Sequence, residues 1–218
     1  MYFASRLQAG RMLAAQIAKI HLGDKCAILA LNDGGVIVGL QIADQLHCPV
    51  TMLQSGEVNL PREPEPLAAI TDDGSMAYNP HYSSGELSEM VGEYFTFIEQ
   101  EKSHRISELH RQTNKGDLIK RDLLVGKKII VVADGLANGF LLDLAVTFLK
   151  PINTEAIIVA TPLASVPAVD RMHILADEIF CLSVVEDYIN TDHYYDKHDI
   201  PDHQKIITSI EKLVANWH

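Results

Sequence analysis

Along most of the chain, short unbroken runs of apolar residues alternate with segments in which apolar residues recur at helical spacing. The unbroken runs are typical of strands buried on both faces, and they predict strands over residues 26–31, 50–53, 129–132, 156–160 and 178–182. The helical spacing predicts helices over residues 6–20, 36–46, 140–149, 169–176 and 204–216. This alternation predicts an α/β fold with a parallel twisted sheet and helices on both faces.

One segment interrupts the alternation. Residues 55–85 contain three glycines and four prolines, namely Pro61, Pro64, Pro66 and Pro80. They predict a loop-rich lid or hood with a small hairpin at residues 67–70 and 75–78. A long helix with a charged, solvent-facing side is predicted over residues 87–113. All of these elements are assigned to a single domain, residues 1–218.

The composition is that of an ordinary globular protein. Of the 218 residues, 47% are hydrophobic and 22% are charged, which excludes intrinsic disorder. The formal net charge of −11 disfavours binding to nucleic acid or to an anionic membrane surface, because both need clustered basic residues. The partners expected from the charge are therefore neither nucleic acid nor membrane.

Cysteine usage and hydropathy indicate a cytoplasmic protein. Cys26, Cys48 and Cys181 form no CxxC pair, and reduced thiols are the simplest interpretation. No apolar run approaches the roughly 18 residues that a membrane-spanning helix needs. The first 23 residues contain no acid, which is also a property of organelle presequences, but their apolar spacing fits an amphipathic first helix better.

Three loops follow the carboxyl ends of predicted strands, where open parallel sheets bind their ligands. They are residues 32–35, residues 133–141 and the segment after Ala160. Residues 129–141 read IIVVADGLANGFL, which is a strand, an acid, two glycines among small residues, and a helix. This is the layout of an anion cradle, in which backbone N–H groups and the positive end of the helix face the ligand.

The same segment resembles the 5-phosphoribosyl-1-pyrophosphate (PRPP) signature of type I phosphoribosyltransferases. That signature has four apolar residues, two acids, Gly, two small or apolar residues, Thr, Gly, a small residue, and Thr or Ser. The resemblance covers most of the chain in the family's order. The other segments that carry it are residues 3–10 (FASRLQAG), 29–35, 61–70 with Glu65, 160–163, 176–182, and Tyr195-Asp196 with the closing helix.

The resemblance implies the family's fold and a role in nucleotide metabolism. In the family, the acids hold the ribose hydroxyls, the hydroxyl-bearing loop holds the 5-phosphate, and Mg²⁺ bridges the diphosphate and the ribose. The reaction exchanges pyrophosphate for a nitrogen base. The implied PRPP or phosphate-binding residues are Asp134, Gly135, Leu136, Ala137, Asn138 and Gly139. The implied pyrophosphate loop is Asn32, Asp33, Gly34 and Gly35, and the implied cofactor is Mg²⁺ if PRPP is bound and none otherwise.

The chain departs from the family's pattern in the phosphate loop. Ala133 replaces the first acid, Asn138 and Leu141 replace the two hydroxyl residues, and Phe140 replaces the small residue between them. Each hydrogen bond lost to a charged partner costs about 1.5–3 kcal/mol. The substitutions therefore predict weaker binding of PRPP.

The pyrophosphate loop departs in the same direction. Asn32 and Asp33 stand where the family usually has a basic residue, and Glu57-Val58 stand where it often has Arg-Lys. The charge of Asp33 would repel a diphosphate, since two unit charges about 4 Å apart interact by about 4 kcal/mol at an effective dielectric of about 20. Lys127, Lys128, Arg62 or Arg171 are the cations that could compensate from elsewhere.

These departures favour a divergent member of the family with eroded PRPP loops and weak or no PRPP chemistry. Two alternatives remain open: an active phosphoribosyltransferase on an unidentified acceptor base, and a non-catalytic ligand-sensing or scaffold protein. The backbone N–H groups of residues 136–141 could still cradle a phosphate, so a small-molecule phosphate or PRPP-like ligand is the expected partner. The sequence leaves the catalytic residues unassigned and a homo-oligomer open.

A second cluster of polar residues lies near the C-terminus. It contains His193, Asp196, His198, Asp199 and His203, whose side chains are of the kinds that bind Zn, Fe or Mn. The spacing matches no metal motif, so a solvated loop is the preferred interpretation and no metal site is predicted.

Overall fold

The computed structural model describes residues 2–20, 25–113, 121–198 and 200–215. The chain forms two compact units. The sheet unit comprises Met1–Leu53, Leu118–Gly139 and Ile152–His218, and the insert unit comprises Gln54–Asp117 and Phe140–Pro151. The assignment of residues 1–218 to one domain stays a prediction.

The elements alternate in the order that the sequence predicts. Helices α1–α7 are Arg6–Ile17, Asp33–Leu46, Ser84–Glu93, Phe95–Thr113, Phe140–Leu149, Val166–Leu175 and His203–Ala215. Strands β1–β8 are Cys26–Ala30, Val50–Met52, Ser55–Val58, Ala68–Thr71, Met76–Tyr78, Lys128–Val132, Ala156–Ser165 and Glu178–Val185.

The sheet unit is built on a parallel sheet of five strands in the order β2-β1-β6-β7-β8. Strand β6 is the central strand, with Ile129 beside Ala27 of β1 on one side and Ile157 of β7 on the other. The fold class predicted from the apolar runs is confirmed, as is the central position of residues 129–132. A parallel sheet needs strands that are apolar on both faces, and the continuous apolar runs supply them.

Helices α1, α2 and α7 cover one face of this sheet. Leu13 of α1, Ile42 of α2 and Ile206 of α7 share a buried cluster with Ile28 and Ile130 of the strands. The strand residues that point to the opposite face are buried as well, among them Leu29, Val131 and Val159. Because both faces are dry, side chains at the ends of the strands are the ones that can reach solvent or a ligand.

The insert unit contains an antiparallel sheet in the order β3-β4-β5, together with α3, α4 and α5. Its core includes Val58, Leu67, Ile70 and Ile98. The predicted hairpin is present as β4 and β5, whereas β3 lies in a segment predicted as loop. Its sequence, SGEV, has too little apolar alternation to signal a strand.

The long helix predicted over residues 87–113 is two helices, α3 and α4. They are separated at Tyr94, whose backbone (φ −104°, ψ 18°) is not helical. Gly92 lies two residues before the break, but a single Gly inside a helical pattern is tolerated, so it did not indicate a boundary. Helix α3 follows a capping box, in which the Ser83 side chain accepts from the Glu86 N–H and the Glu86 side chain accepts from the Ser83 N–H.

Two other boundaries differ in ways that affect the site. Helix α2 begins at Asp33 rather than Val36, because the Asn32 side chain caps it by accepting from the Gly35 N–H. Strand β7 continues beyond Ala160 to Ser165, where a loop was predicted. Among the described helices, none has both the length and the hydropathy needed to cross a bilayer.

Candidate functional site

The predicted site residues of the sheet unit meet at the carboxyl ends of β1 and β6. Asp134 follows β6 after one residue, and Asn32 follows β1. Adjacent parallel strands end at the same edge of the sheet, so residues far apart in sequence become neighbours there. The Asn32 amide donates to Asp134 Oδ1 at 2.9 Å.

Asp134, the single acid left in the family's acidic pair, is engaged at both carboxylate oxygens. Arg6 Nε donates to Oδ2 at 2.7 Å, and the Asn32 amide occupies Oδ1. The side chain of Asp134 is 4% exposed and that of Arg6 is 1% exposed. The carboxylate is therefore part of a buried ion pair rather than a group that faces solvent.

Arg6 is the first residue of α1, which Ser5 caps by accepting from the Gln8 N–H. Its guanidinium also pairs with Asp192, and its Cζ lies 4.5 Å from the centre of the Tyr195 ring. Burial by itself would lower the pKa of Arg6, but Asp134 and Asp192 outweigh it and raise that pKa above its ordinary value. The guanidinium is a permanent cation that neutralises Asp134.

Tyr195 fixes the C-terminal tail to the same point. Its hydroxyl donates to the backbone carbonyl of Asp134 at 2.6 Å, and its ring packs against Phe3. The Phe3 N–H donates to the backbone carbonyl of Tyr194, and the Asp196 N–H donates to the backbone carbonyl of Phe3. The segment before α1 and the segment before α7 are thus joined to each other and to Asp134, which begins the predicted phosphate loop.

The predicted pyrophosphate loop, Asn32 to Gly35, is a helix start and not a free turn. Gly34 has no room for a side chain, since a Cβ would lie 2.0 Å from Asp134 Oδ2. A Cβ at Gly35 would lie 2.6 Å from the Val132 carbonyl. Asp33 lies in the first turn of α2, where its Oδ1 is 2.7 Å from Nδ1 of His203. The prediction of a tight turn with a separate helix from Val36 is wrong, because the Asn32 cap starts the helix earlier.

The first half of the predicted phosphate loop extends the sheet. The Leu136 N–H donates to the Leu163 carbonyl at 3.0 Å, and the Leu136 carbonyl accepts from the Ser165 N–H at 2.9 Å. Gly135 is enclosed, since a Cβ there would lie 2.6 Å from the Tyr188 hydroxyl and 2.8 Å from Thr191. The N–H of Leu136 is therefore already used, although the sequence offered it as a phosphate donor.

The second half of the loop reaches the surface. Ala137 and Asn138 are exposed, and the Ala137 carbonyl accepts from the Ser165 hydroxyl at 2.7 Å. Gly139 is covered by the stem of Arg171 on α6, whose Cγ would be 2.2 Å from a Cβ at this position. Arg171 is one of the four cations that the sequence offered as compensation. Its side chain lies beside the predicted phosphate loop, within the sheet unit.

Tyr188 closes the space beside Gly135. Its hydroxyl is 2.7 Å from Thr191 Oγ1. Burial raises the pKa of Tyr188 to about 12, and the nearby charge of Asp134 adds to the rise. The phenol is therefore a neutral donor or acceptor at ordinary pH.

The His/Asp cluster near the C-terminus is spread over separate contacts. His193 Nε2 is 3.0 Å from the Tyr2 hydroxyl, and His203 pairs with Asp33. Asp199 lies outside the described residues. In the ranges that the structure describes, no three His, Cys, Asp or Glu side chains are grouped to hold a metal ion.

The sequence did not indicate the partners of Asp134. Arg6 is 128 positions away and Asp192 comes from a different segment, so no spacing rule connects them. Tyr195 and Tyr188 were likewise not assigned a role at the loop. Both lie in a mostly polar segment, and nothing local in the sequence indicates that their hydroxyls are enclosed.

No protein-family model matches the chain. Two curated proteins of Mycobacterium tuberculosis, from strains CDC 1551 and H37Rv, are 27% identical over 183 residues, or 83% of this chain. Their name designates them provisionally as phosphoribosyl transferases, and the chain spans 40% of their length.

Two solved structures share the fold. The Thermus thermophilus protein TT1426 is 24% identical and superposes with a TM-score of 0.74, covering 100% of this chain and 99% of its own. A purine phosphoribosyltransferase from Pyrococcus horikoshii Ot3 is 12% identical with a TM-score of 0.50, covering 92% of this chain and 96% of its own. At these identities the two structures establish the architecture of the chain.

Proposed function

We propose that this chain, a divergent relative of the type I phosphoribosyltransferases with their α/β fold, binds a phosphate-bearing small molecule weakly and does not transfer a phosphoribosyl group. The observation that carries the proposal is the state of Asp134. Both of its carboxylate oxygens accept hydrogen bonds from within the protein, and its side chain is 4% exposed. In the family, this acid would be needed at the ribose.

Because the Asp134 side chain is 4% exposed, a ribose could reach it only by displacing groups that bury it, which would disturb its ion pair with Arg6. Removing one partner of a buried pair costs about 3–5 kcal/mol, because the other charge stays buried without compensation. Two hydrogen bonds from ribose hydroxyls to a carboxylate return about 1.5–3 kcal/mol each at best. The exchange gains little, so we infer that the ribose and a bridging Mg²⁺ do not fit here as they do in the family.

The pyrophosphate end of the candidate site is also unfavourable. Asp33 presents an acid in the first turn of α2, and its carboxylate is shared with His203. A diphosphate placed there would meet a negative charge where a transferase needs a cation to stabilise the leaving group. Pyrophosphate release, the chemical step that defines the reaction, therefore lacks support from this loop.

The phosphate end retains the features that favour an anion. Ala137 and Asn138 are exposed, and the side chain of Arg171 lies against the buried Gly139 that follows them. Backbone N–H groups and a guanidinium are the usual partners of a phosphate monoester. We infer that a terminal phosphate, rather than the ribose or the diphosphate, is the group that this chain recognises.

Calorimetric titration of the full chain with PRPP and Mg²⁺, ribose 5-phosphate, and inorganic phosphate tests the proposal. We expect PRPP to bind no tighter than about 1 mM, which corresponds to about −4.1 kcal/mol. Ribose 5-phosphate should bind about as well, because the diphosphate adds no favourable contact. Arg171→Ala should abolish both, whereas Arg11→Ala, an exposed arginine on α1, should change neither.

The same preparation can be assayed for pyrophosphate release from PRPP with a panel of purine and pyrimidine bases. No release above the uncatalysed rate is expected. A micromolar dissociation constant for PRPP would show that the substitutions are compensated and would favour the alternative of an active transferase. Release of pyrophosphate that depends on a base would establish that alternative. No binding of any phosphate would leave the scaffold alternative.

A further inference from the structure

The two edges of the parallel sheet differ in how they are protected. Strand β2 has only three residues, all buried, and α7 packs against it. Strand β8 has eight residues, and each of them is at least partly exposed. Within the described part of the chain, no strand pairs with the outer side of β8.

The open edge is long and apolar. Strand β8 reads EIFCLSVV, with no charged residue after Glu178, and Val184 is 54% exposed. The N–H and C=O groups of a strand point alternately to its two sides, so alternate residues of β8 direct theirs away from β7. Natural proteins usually blunt such an edge with a charge, a proline or a covering element; β8 has no proline, and its one charge is Glu178 at its first position.

Acidic residues stand at both ends of this edge. Asp177 and Glu178 precede its apolar part, and Glu186 and Asp187 follow it, all with exposed side chains. If a second copy paired antiparallel through β8, Asp177 and Glu178 of one copy would lie beside Glu186 and Asp187 of the other. If it paired in parallel, Glu178 would face Glu178. Like charges opposite each other destabilise a strand pair. The edge therefore disfavours a second copy of this chain.

We propose that the open edge of β8 binds an extended peptide segment with an apolar centre and basic residues at both ends, as an added strand of the sheet. The backbone groups of β8 supply the hydrogen bonds, which is the mode known as β-strand addition. The acidic pairs at either end select the charge of the partner. A strand of this length spans about 26 Å at about 3.3 Å per residue, so about eight peptide residues suffice.

Fluorescence anisotropy with a labelled synthetic peptide, KRVTITVRK, tests this proposal on the full chain. The comparison peptides are an acid-flanked version, EDVTITVDE, and two versions of KRVTITVRK with backbone N-methyl groups on one or the other set of alternate residues. We expect the basic peptide to bind at least about tenfold more tightly than the acidic one at low salt. One N-methylated version should lose at least about tenfold in affinity and the other should not, since only one side of an added strand faces β8.

Two double variants test the charge argument. Glu178→Lys with Glu186→Lys should reduce the preference for the basic peptide to less than about twofold, because each acidic pair becomes one acid and one lysine. The control, Asp44→Lys with Asp122→Lys, changes the net charge equally at exposed positions on α2 and before β6, and it should retain the preference of the native chain.

Three outcomes would overturn the proposal. The first is binding that both N-methylated peptides retain, which would indicate general attraction to an acidic protein. The second is a dimer in sedimentation equilibrium that Val184→Lys disrupts, which would assign the edge to a second copy. The third is no measurable binding of the basic peptide at millimolar concentration.

Discussion

The two halves of the loop after β6 have opposite surroundings. At its start, Asp134 is buried in an ion pair with Arg6 and a hydrogen bond with Asn32. At its end, Ala137 and Asn138 are exposed. A few residues of chain thus separate a carboxylate that stabilises the fold from a backbone segment that can meet a ligand. In the proposed function, the first half of the loop therefore serves the fold, and only the outer half meets the ligand.

The largest expected effect comes from removing the charge of Asp134. Asp134→Asn leaves the Arg6 guanidinium, whose side chain is 1% exposed, paired with Asp192, whose side chain is 56% exposed. We expect the free energy of unfolding to fall by about 3 kcal/mol, because a buried cation loses its buried counter-charge. Urea denaturation monitored by circular dichroism measures this.

The matched control for that variant is Asp33→Asn, which removes an acid from the neighbouring loop. Its partner His203 is 41% exposed, so the loss should stay below about 1 kcal/mol. Equal losses at the two positions would show that the two loops do not differ in the way described, and a ligand role for Asp134 would become the better interpretation.

A smaller effect is expected from filling the contact between the two loops. Gly34→Ala would place a Cβ 2.0 Å from Asp134 Oδ2, and that carboxylate is held by Arg6. We expect a loss of about 1–3 kcal/mol in the free energy of unfolding, as for an overpacked core. Gly85→Ala, where no atom lies within 4 Å of the added Cβ, should be neutral or slightly stabilising. The melting temperatures of the two variants, compared with that of the native chain, measure this difference. An unchanged melting temperature for Gly34→Ala would contradict the tight contact.

Alkaline pH tests the enclosed environment of Tyr188. Its pKa is raised to about 12 in the folded protein, so the folded state holds the proton more tightly than the unfolded state, where a tyrosine titrates near 10. Stability from this group is therefore present below about pH 10 and is lost as the pH rises toward 12, by up to about 2 kcal/mol. The measurement is the difference in unfolding free energy between the native chain and Tyr188→Phe at pH 9 and pH 11.5. A difference that does not shrink with pH would place Tyr188 in contact with water.

The smallest expected effect is a gain of affinity. Asp33→Arg with Asn138→Thr restores a cation and a hydroxyl at positions that are half-buried and exposed, respectively. Affinity for PRPP should rise at least about tenfold, since each charge-assisted hydrogen bond contributes about 1.5–3 kcal/mol before its costs. Asp33→Asn with Asn138→Thr controls for the lost acid. Phe140 stays unchanged in both variants, although the family has a small residue there, because Phe140 is 6% exposed and its truncation would open a cavity.

A folded double variant with no gain in calorimetry would mean that the loop backbone no longer has a phosphate-binding shape. The structural role would then be the interpretation to keep.

Much of the fold could be predicted because it depends on local pattern. The continuous apolar run at residues 129–132 requires burial on both faces, and β6 is indeed the central strand. The predicted resemblance to type I phosphoribosyltransferases is confirmed by the sequence relatives and the shared fold. The strand Ser55–Val58 was missed because it has too little apolar alternation, and the break at Tyr94 was missed because Gly92 alone does not end a helical pattern.

The site was only half predictable for a related reason. The sequence placed Asp134 and Asn32 at the same edge of the sheet, and they do meet there. It had no means of pairing Asp134 with Arg6, because an ion pair between residues 128 positions apart has no periodicity. The sequence also left the N–H of Leu136 available for a ligand, whereas the extension of β7 to Ser165 uses it.

The sequence by itself determined the order of strands and helices in the sheet unit, the buried character of its sheet, and loops at residues 32–35 and 133–141 that contain no basic residue and no hydroxyl residue. These follow from the spacing of side chains along one chain. Only the tertiary structure decided that the remaining acid is neutralised from α1 and that Arg171 lies against Gly139. The availability of a charge depends on which groups surround it in space and on how much water they exclude, and both are set by packing between distant segments.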